Sequence, residues 1–206
     1  MSIVKLNNNG IKNVTTIGSI TPIGNMALIK KLTASSSSTL SFVNGSSDVV
    51  LDSTYKEYFF TFNNIHPQNH NASFEFQCST DGGSNYNTTI TSTCFIADHG
   101  EGGAGGSLGY YAARDQAQGT SFQHFMRDIG NENDESAAGR LTLYNPASTT
   151  FVKHFMADCS VYYEGDYEFN YIYSGYFNTT SAINAIQFKM ASGNIDAGDI
   201  CLYGIT

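Results

Sequence analysis

The stretch ASFEFQC, residues 72–78, decides the fold class because its side chains alternate between apolar and polar. Successive side chains of an extended chain point to opposite faces, so this alternation is typical of a β-strand with one buried face. We expect Phe74, Phe76 and Cys78 to lie on the buried face. Ser73, Glu75 and Gln77 then lie on the other.

Comparable runs recur on both sides of this stretch, separated by residues typical of turns. No segment of about ten residues or more has the apolar repeat of an amphipathic helix. Strands at intervals of ~8–12 residues predict an all-β sandwich or barrel. A jelly-roll-like β-sandwich is our first prediction, and an immunoglobulin-type Greek-key sandwich is the alternative. The predicted strands are Ala27–Leu32, Thr39–Val43, Tyr55–Asn63, Ser73–Ser79, Asn87–Phe95, Ser121–Arg127, Arg140–Tyr144, Phe151–Tyr163, Tyr167–Phe177, Ala185–Met190 and Ile200–Ile205.

Two glycine-containing turns are predicted to form hairpins. One is DGGS, residues 81–84, because glycine accepts a positive φ without a β-carbon clash. The other is EGD, residues 164–166, which joins two long strands rich in aromatic residues.

Residues 1–25, MSIVKLNNNGIKNVTTIGSITPIGN, differ from the rest because single apolar residues are scattered among polar ones. We expect an extended N-terminal arm at 1–25 that orders against the domain or a neighbouring subunit. One β-sandwich domain then occupies residues 26–206. A disordered tail is the alternative for the arm.

Composition narrows the choice of partner. The formal net charge is −8, and the one basic cluster is Lys30-Lys31, so nucleic acid is not an expected partner. The charged fraction of 14% is well below the ~25% that is usual, and Asn, Ser, Thr and Gly supply polarity instead. No apolar run is long enough to span a membrane. The first residues lack the apolar stretch of a signal peptide, so we expect use inside a cell or assembly into a particle.

The four cysteines are far apart, without the closely spaced pairs of a zinc site. Each lies in a strand-like run. We therefore expect Cys78, Cys94, Cys159 and Cys201 to be buried, reduced thiols that act as small hydrophobic residues.

A glycine-rich segment, DHGEGGAGGSLGYYAARDQAQG at residues 98–119, interrupts the strand pattern. We expect a long loop that is functional or packs on a partner. Residues 100–105 match G-x-G-x-x-G, but no predicted helix follows to hold a phosphate, so a turning loop is the better interpretation. Asp98, His99 and Glu101 could contribute to a metal site, although no further ligands can be assigned.

No catalytic arrangement is evident. Glu164, Asp166 and Glu168 alternate near a turn and could share a face, as paired carboxylates do in glycosidases, but surface acids are the simpler interpretation. The histidines are scattered, and no nucleophile elbow, zinc motif or phosphate loop accompanies them. We predict that the chain is not an enzyme and has no catalytic, cofactor or metal residues. The histidines are His66, His70, His99, His124 and His154.

The C-terminal segment FKMASGNIDAGDICLYGI, residues 188–205, resembles the closing hairpin of virion proteins from tailed bacteriophages, especially marine and cyanophage types. In that hairpin two apolar strands flank the turn at Ser192-Gly193-Asn194, and Gly198 allows a second bend. The resemblance extends more loosely to VVLDSTYKEYFFTFNNIHP, residues 49–67, and to CSTDGGSNY, residues 78–86.

The resemblance implies a virion structural protein with a jelly-roll or similar sandwich, localised to the virion and assembled in the host cytoplasm. It carries no functional residues over. We expect a capsid decoration or cement protein that forms a homotrimer and binds the major capsid protein. The alternative is a fibre module that binds a receptor or glycan through aromatic platforms. The candidate platforms are Tyr110-Tyr111, Tyr162-Tyr163 and Tyr171/Tyr173.

Overall fold

A computed structural model describes residues 26–103 and 105–205. These residues form thirteen β-strands and one short 3₁₀ helix, Ala112–Arg114, which confirms the all-β prediction. The arm predicted at residues 1–25 lies outside the described residues. The strands are β1 (Met26–Thr33), β2 (Leu40–Val43), β3 (Glu57–Pro67), β4 (Ala72–Ser79), β5 (Ile90–Gly100), β6 (Ser107–Tyr110), β7 (Ala117–Gly119), β8 (Gln123–Ile129), β9 (Ala137–Tyr144), β10 (Lys153–Tyr163), β11 (Tyr167–Phe177), β12 (Ala185–Met190) and β13 (Ile195–Ile205).

The strands form one antiparallel sheet of thirteen strands that folds over into a sandwich, and its two layers are called here the small sheet and the large sheet. The small sheet has the order β2-β12-β4-β8. The large sheet has the order β1-β13-β3-β9-β10-β11-β5, with β6 and β7 both paired to β5. A single ladder pair, Tyr163 with Ile129, joins β10 to β8 at the margin. From β2 to β13 the chain passes back and forth between the sheets, as in a jelly roll, with the meander β9-β10-β11 in place of one strand.

Aromatic rings fill the space between the sheets. The ring centroids of Phe76 on β4 and Phe155 on β10 are 5.3 Å apart, and those of Phe188 on β12 and Phe62 on β3 are 5.2 Å apart. All four rings are buried. The predicted apolar face of residues 72–78 therefore points into the core. Truncating one of these rings, as in Phe76→Ala, is expected to cost ~3–5 kcal/mol of stability.

The two predicted hairpin turns have different outcomes. The turn at residues 164–166 closes the β10–β11 hairpin, with Tyr163 paired to Tyr167. Gly82 and Gly83 also turn with positive φ, at +73° and +84°. However, β4 pairs with β12 and β8, whereas β5 pairs with β11, so the hairpin prediction for residues 81–84 was wrong. Glycine enables the reversal but does not determine which sheet the chain enters next.

The same correction applies to the C-terminal hairpin. Gly193 turns with φ +72°, but β12 lies in the small sheet and β13 in the large one. The predicted bend at Gly198 is present, with φ +121° and a register shift between Ala197 and Asp199. A β-carbon on Gly198 would lie 2.7 Å from the carbonyl oxygen of Asn64, so this bend requires glycine.

The glycine-rich segment is more regular than predicted. Strand β5 continues to Gly100, and β6 pairs with its Phe95–Asp98 portion. The 3₁₀ turn and β7 follow, and β7 also pairs with β5. What was expected to be one long loop therefore extends the edge of the large sheet.

All four cysteines are free thiols, as predicted. Burial raises the pKa of Cys78 and Cys159 well above the ordinary value, and that of Cys94 to about 11. Cys201 departs from the prediction because it is only half-buried. Its strand β13 turns it toward the outer face of the large sheet, opposite Thr61.

Candidate functional site

The outer face of the large sheet carries an exposed apolar surface. Among the described residues, every exposed large hydrophobic side chain lies on this sheet or in the loop that enters β10. Exposed apolar side chains that gather on one face mark a surface for association more strongly than scattered ones do. These side chains are Met26, Leu28, Phe95, Leu108, Tyr110, Phe151, Met156 and Ile172.

Strand register aligns the outward side chains in rows, because directly paired residues share a face. We name one row that crosses all seven strands without a charged residue the apolar row. It consists of Leu28, Tyr203, Phe59, Thr142, Met156, Ser174 and Thr93. A second row beside it holds Met26, Ile205, Glu57, Tyr144, His154, Tyr176 and Thr91.

A groove of about 480 Å³ lies where these two rows cross β9, β10, β11 and β5. The rings of His154 and Tyr176 line it with a centroid separation of 6.0 Å. Gly175 lies below, and a β-carbon there would be 2.5 Å from Cζ of Phe155, so glycine lets the core ring approach the groove from beneath. The exposed walls are mainly apolar, with serine and threonine among the lining residues. The remaining lining residues are Thr91, Ser92, Thr93, Tyr144, Met156 and Ser174.

On one side of the apolar row, charged side chains are paired with one another. Arg140 and Asp158 are 2.9 Å apart, and Lys31 and Asp199 are 2.7 Å apart. The hydrogen bond to Asp199 raises the pKa of Lys31, and the same contact lowers the pKa of Asp199. The apolar row therefore has neutral pairs on one side, while the second row on its other side carries Glu57, on a chain of net charge −8. Another acidic molecule meets less repulsion on such a surface.

The outer face of the small sheet is closed by its own polar side chains. Glu75 is 5% exposed and lies 2.9 Å from Lys189 and 3.1 Å from His124. Gln77 is fully buried and donates to the carbonyl oxygen of Ser121, which precedes β8. Burial lowers the pKa of His124, although the Glu75 carboxylate acts in the opposite direction. The strand predicted to be half-buried is thus buried on both faces.

The structure separates the residues considered for a metal site. Asp98 and His99 are neighbours on β5, so their side chains point to opposite faces of the strand. The hydroxyl of Ser107 donates to Asp98, and His99 pairs with Glu168 across the ladder. Glu101 follows the strand, and its backbone N–H bonds to the Asp166 carbonyl. The G-x-G-x-x-G match leads into strand β6 rather than into a helix.

The acidic residues near the β10–β11 turn each have a different neighbour. His70 lies 2.8 Å from Glu164, Ser160 donates to Glu168 at 2.8 Å, and Tyr162 donates to Asp166 at 3.3 Å. The interpretation of these residues as surface acids rather than a catalytic pair stays a prediction.

The candidate tyrosine platforms also divide. Tyr171 and Tyr173 are fully buried and stack with a centroid separation of 6.3 Å, and burial raises the pKa of both. Neither can contact a sugar. Tyr110 is 60% exposed and lies 5.9 Å from Phe95 on the outer face of the large sheet. Of the named platforms, Tyr110 is the one that extends the exposed surface.

Among the residues that the structure describes, no group of three or more His, Cys, Asp or Glu side chains is placed to hold a metal ion. None of the described segments forms a helix long and apolar enough to cross a membrane. Comparison with protein-family models, curated proteins and solved structures finds no match for this chain. The prediction that it has no catalytic, cofactor or metal residues stays a prediction.

Sequence reasoning missed the apolar row altogether. Its members are spread over seven strands with one in each, and only Leu28 and Met156 among them are exposed large hydrophobic residues, so no single segment looks unusual. One sequence feature could have indicated this surface: Met156 on β10 is an apolar residue at a position where the alternating pattern calls for a polar one. The same is true of Ile172 on β11.

Proposed function

We propose that this chain is a structural protein of a tailed-bacteriophage virion, namely a capsid decoration or cement protein that binds the outer capsid surface and stabilises the shell. Copies of the chain associate as a homotrimer through the outer face of the large sheet. The major capsid protein is its other partner, and neither nucleic acid nor membrane takes part. The resemblance of residues 188–205 to phage virion proteins supports the choice of particle.

The uncharged apolar row, together with the exposed hydrophobic side chains around it, is the observation that carries the assembly part of the proposal. Seven strands spaced ~4.8 Å apart are about 29 Å across, and eight residues of a strand are about 26 Å long. The face therefore offers roughly 750 Å², close to the ~800 Å² per partner of a standard protein interface. A second copy is the expected occupant because the row brings no like charges together.

Cryo-electron microscopy of the parent particle tests the proposal directly. We expect density for this sandwich on the capsid lattice, with the apolar row covered by a neighbouring copy. Light scattering of the isolated protein should give the mass of a trimer. Monomers in both the isolated protein and the particle would contradict the homotrimer. Density at the tail with Tyr110 facing outward would instead favour a fibre module that binds a receptor or glycan.

A further inference from the structure

We propose that residues 1–25 of one copy dock across the outer face of the large sheet of a second copy, with their aliphatic side chains in the groove lined by His154 and Tyr176. This inference rests on the proposed function, since it names which part of a neighbouring copy covers the apolar row. The occupant is a segment of this same chain, and its sequence complements the second copy in three ways.

Charge is the first. Residues 1–25 contain Lys5 and Lys12 and no Asp or Glu, so all 18 acidic residues and the other 8 of the 10 basic ones lie in residues 26–206. The arm is therefore +2 and the remainder −10. Two domains of −10 repel each other, and a cationic segment that links them reduces this repulsion. An arm that folded back on its own domain would cover the apolar row of that copy but would not connect it to a second copy.

Spacing of aliphatic residues is the second. From residue 11 to residue 23 an aliphatic side chain stands at every third position. An extended chain with three residues per turn, such as polyproline II, presents every third side chain on one face and needs no backbone partners. At ~3.1 Å per residue this stripe is about 37 Å long, enough to cross the ~29 Å of seven strands. Its members are Ile11, Val14, Ile17, Ile20 and Ile23.

The lining of the groove is the third. Aromatic and thioether groups from Tyr144, His154, Met156 and Tyr176 offer apolar walls to branched aliphatic side chains. Ser174 and the two threonines of β5 place hydroxyl groups along the same path. Those hydroxyls can donate to and accept from a docked backbone that has no ladder of its own.

Cross-linking the full chain tests whether the arm docks on this face and whether the face belongs to its own copy or to a second one. A photoreactive phenylalanine derivative is placed at position 17, and light and isotopically heavy copies are refolded together and irradiated. We expect cross-links from position 17 to peptides of β9, β10 or β11, with heavy-to-light pairs about as frequent as same-isotope pairs. Same-isotope pairs alone would show that the arm covers its own domain and would overturn the proposal. Cross-links to other strands, or none, would overturn it as well.

A charge test on the arm complements the cross-linking. Ile17→Asp with Ile20→Asp places two carboxylates in the aliphatic stripe, and we expect the association constant of the trimer to fall at least tenfold. Thr15→Asp with Ser19→Asp adds the same charge beside the stripe and should have a much smaller effect. Equal effects of both pairs would overturn the proposal. A chain found on the capsid whose arm fails these tests refutes the docking but leaves the virion function intact.

Discussion

The two outer faces of this sandwich meet the solvent in opposite ways. On the small sheet, Lys189 and His124 both pair with Glu75, and the chain before β8 covers Gln77. On the large sheet, Met156 and Ile172 are 51% and 43% exposed. A face that satisfies its own polar groups gains little from a partner. A face that exposes apolar side chains gains from every one that it buries.

The difference shows which face of this all-β protein, with its charged fraction of 14%, is available for association. Both faces belong to strands that alternate, and both sheets share one aromatic core. The faces diverge because long polar side chains on the small sheet reach across to each other. On the large sheet, Lys31 and Arg140 pair with acidic residues on one side of the apolar row and leave the row itself uncovered.

The largest expected effect comes from a charge within the apolar row. Met156→Glu should reduce self-association at least a hundredfold, because a buried interface would have to desolvate an unpaired carboxylate. Sedimentation equilibrium measures this. Gln187→Glu adds the same charge to the outer face of the small sheet and should leave the association constant within about threefold. If the two variants dissociate equally, net charge rather than the apolar row controls assembly.

A stability effect of intermediate size is expected on the small sheet. Glu75→Ala removes the shared acceptor of Lys189 and His124 in a nearly buried setting, which should lower the free energy of unfolding by about 1–3 kcal/mol. Urea denaturation measures the loss. Glu57→Ala, on the second row of the large sheet, should change stability by less than about 0.5 kcal/mol. An equal loss at both positions would show that Glu75 contributes no more to stability than a carboxylate on the outer face of the large sheet.

The pH dependence of stability should follow His124. Burial lowers its pKa in the folded state below the ordinary 6.5, so the unfolded chain takes up a proton first as the pH falls. Stability is therefore expected to decrease as the pH drops from about 7.5 through 6.5, until the folded histidine is protonated as well. Urea midpoints between pH 7.5 and 5 measure this. His124→Gln should flatten the plot of stability against pH over that range. An unchanged slope would mean that another titrating group causes the pH dependence.

The smallest effect is expected at the border of the apolar row. Arg140 and Asp158 form a pair whose side chains are 62% and 40% exposed, so solvent screens their attraction. Arg140→Ala should cost no more than about 0.5 kcal/mol of unfolding free energy, measured by urea denaturation. A loss above 1 kcal/mol would mean that the pair supports the sheet rather than merely neutralising it.

Local patterns predicted the strands well and their partners less well. Alternation in residues 72–78 located β4 and its core face, because that face is determined by neighbouring residues in the chain. The burial of Glu75 and Gln77 on the opposite face could not be predicted, since it depends on Lys189 and on the chain near Ser121, which are distant in sequence. The apolar row was missed for the same reason. Each member is visible as a single position in the sequence, but the row exists only through the register of strands that are distant in sequence.

The places of β12 and β13 have a consequence for how the chain acquires its shape. Strand β12 lies between β2 and β4, and β13 lies between β1 and β3, so the last two strands complete sheets that the first four began. Strands β2 and β3 therefore pair with strands that lie more than a hundred residues downstream in the chain. Contacts so distant in sequence slow folding, and edges left open meanwhile invite aggregation. We expect this domain to fold only after residues 185–205 have left the ribosome, and deletion of that segment to prevent either sheet from closing.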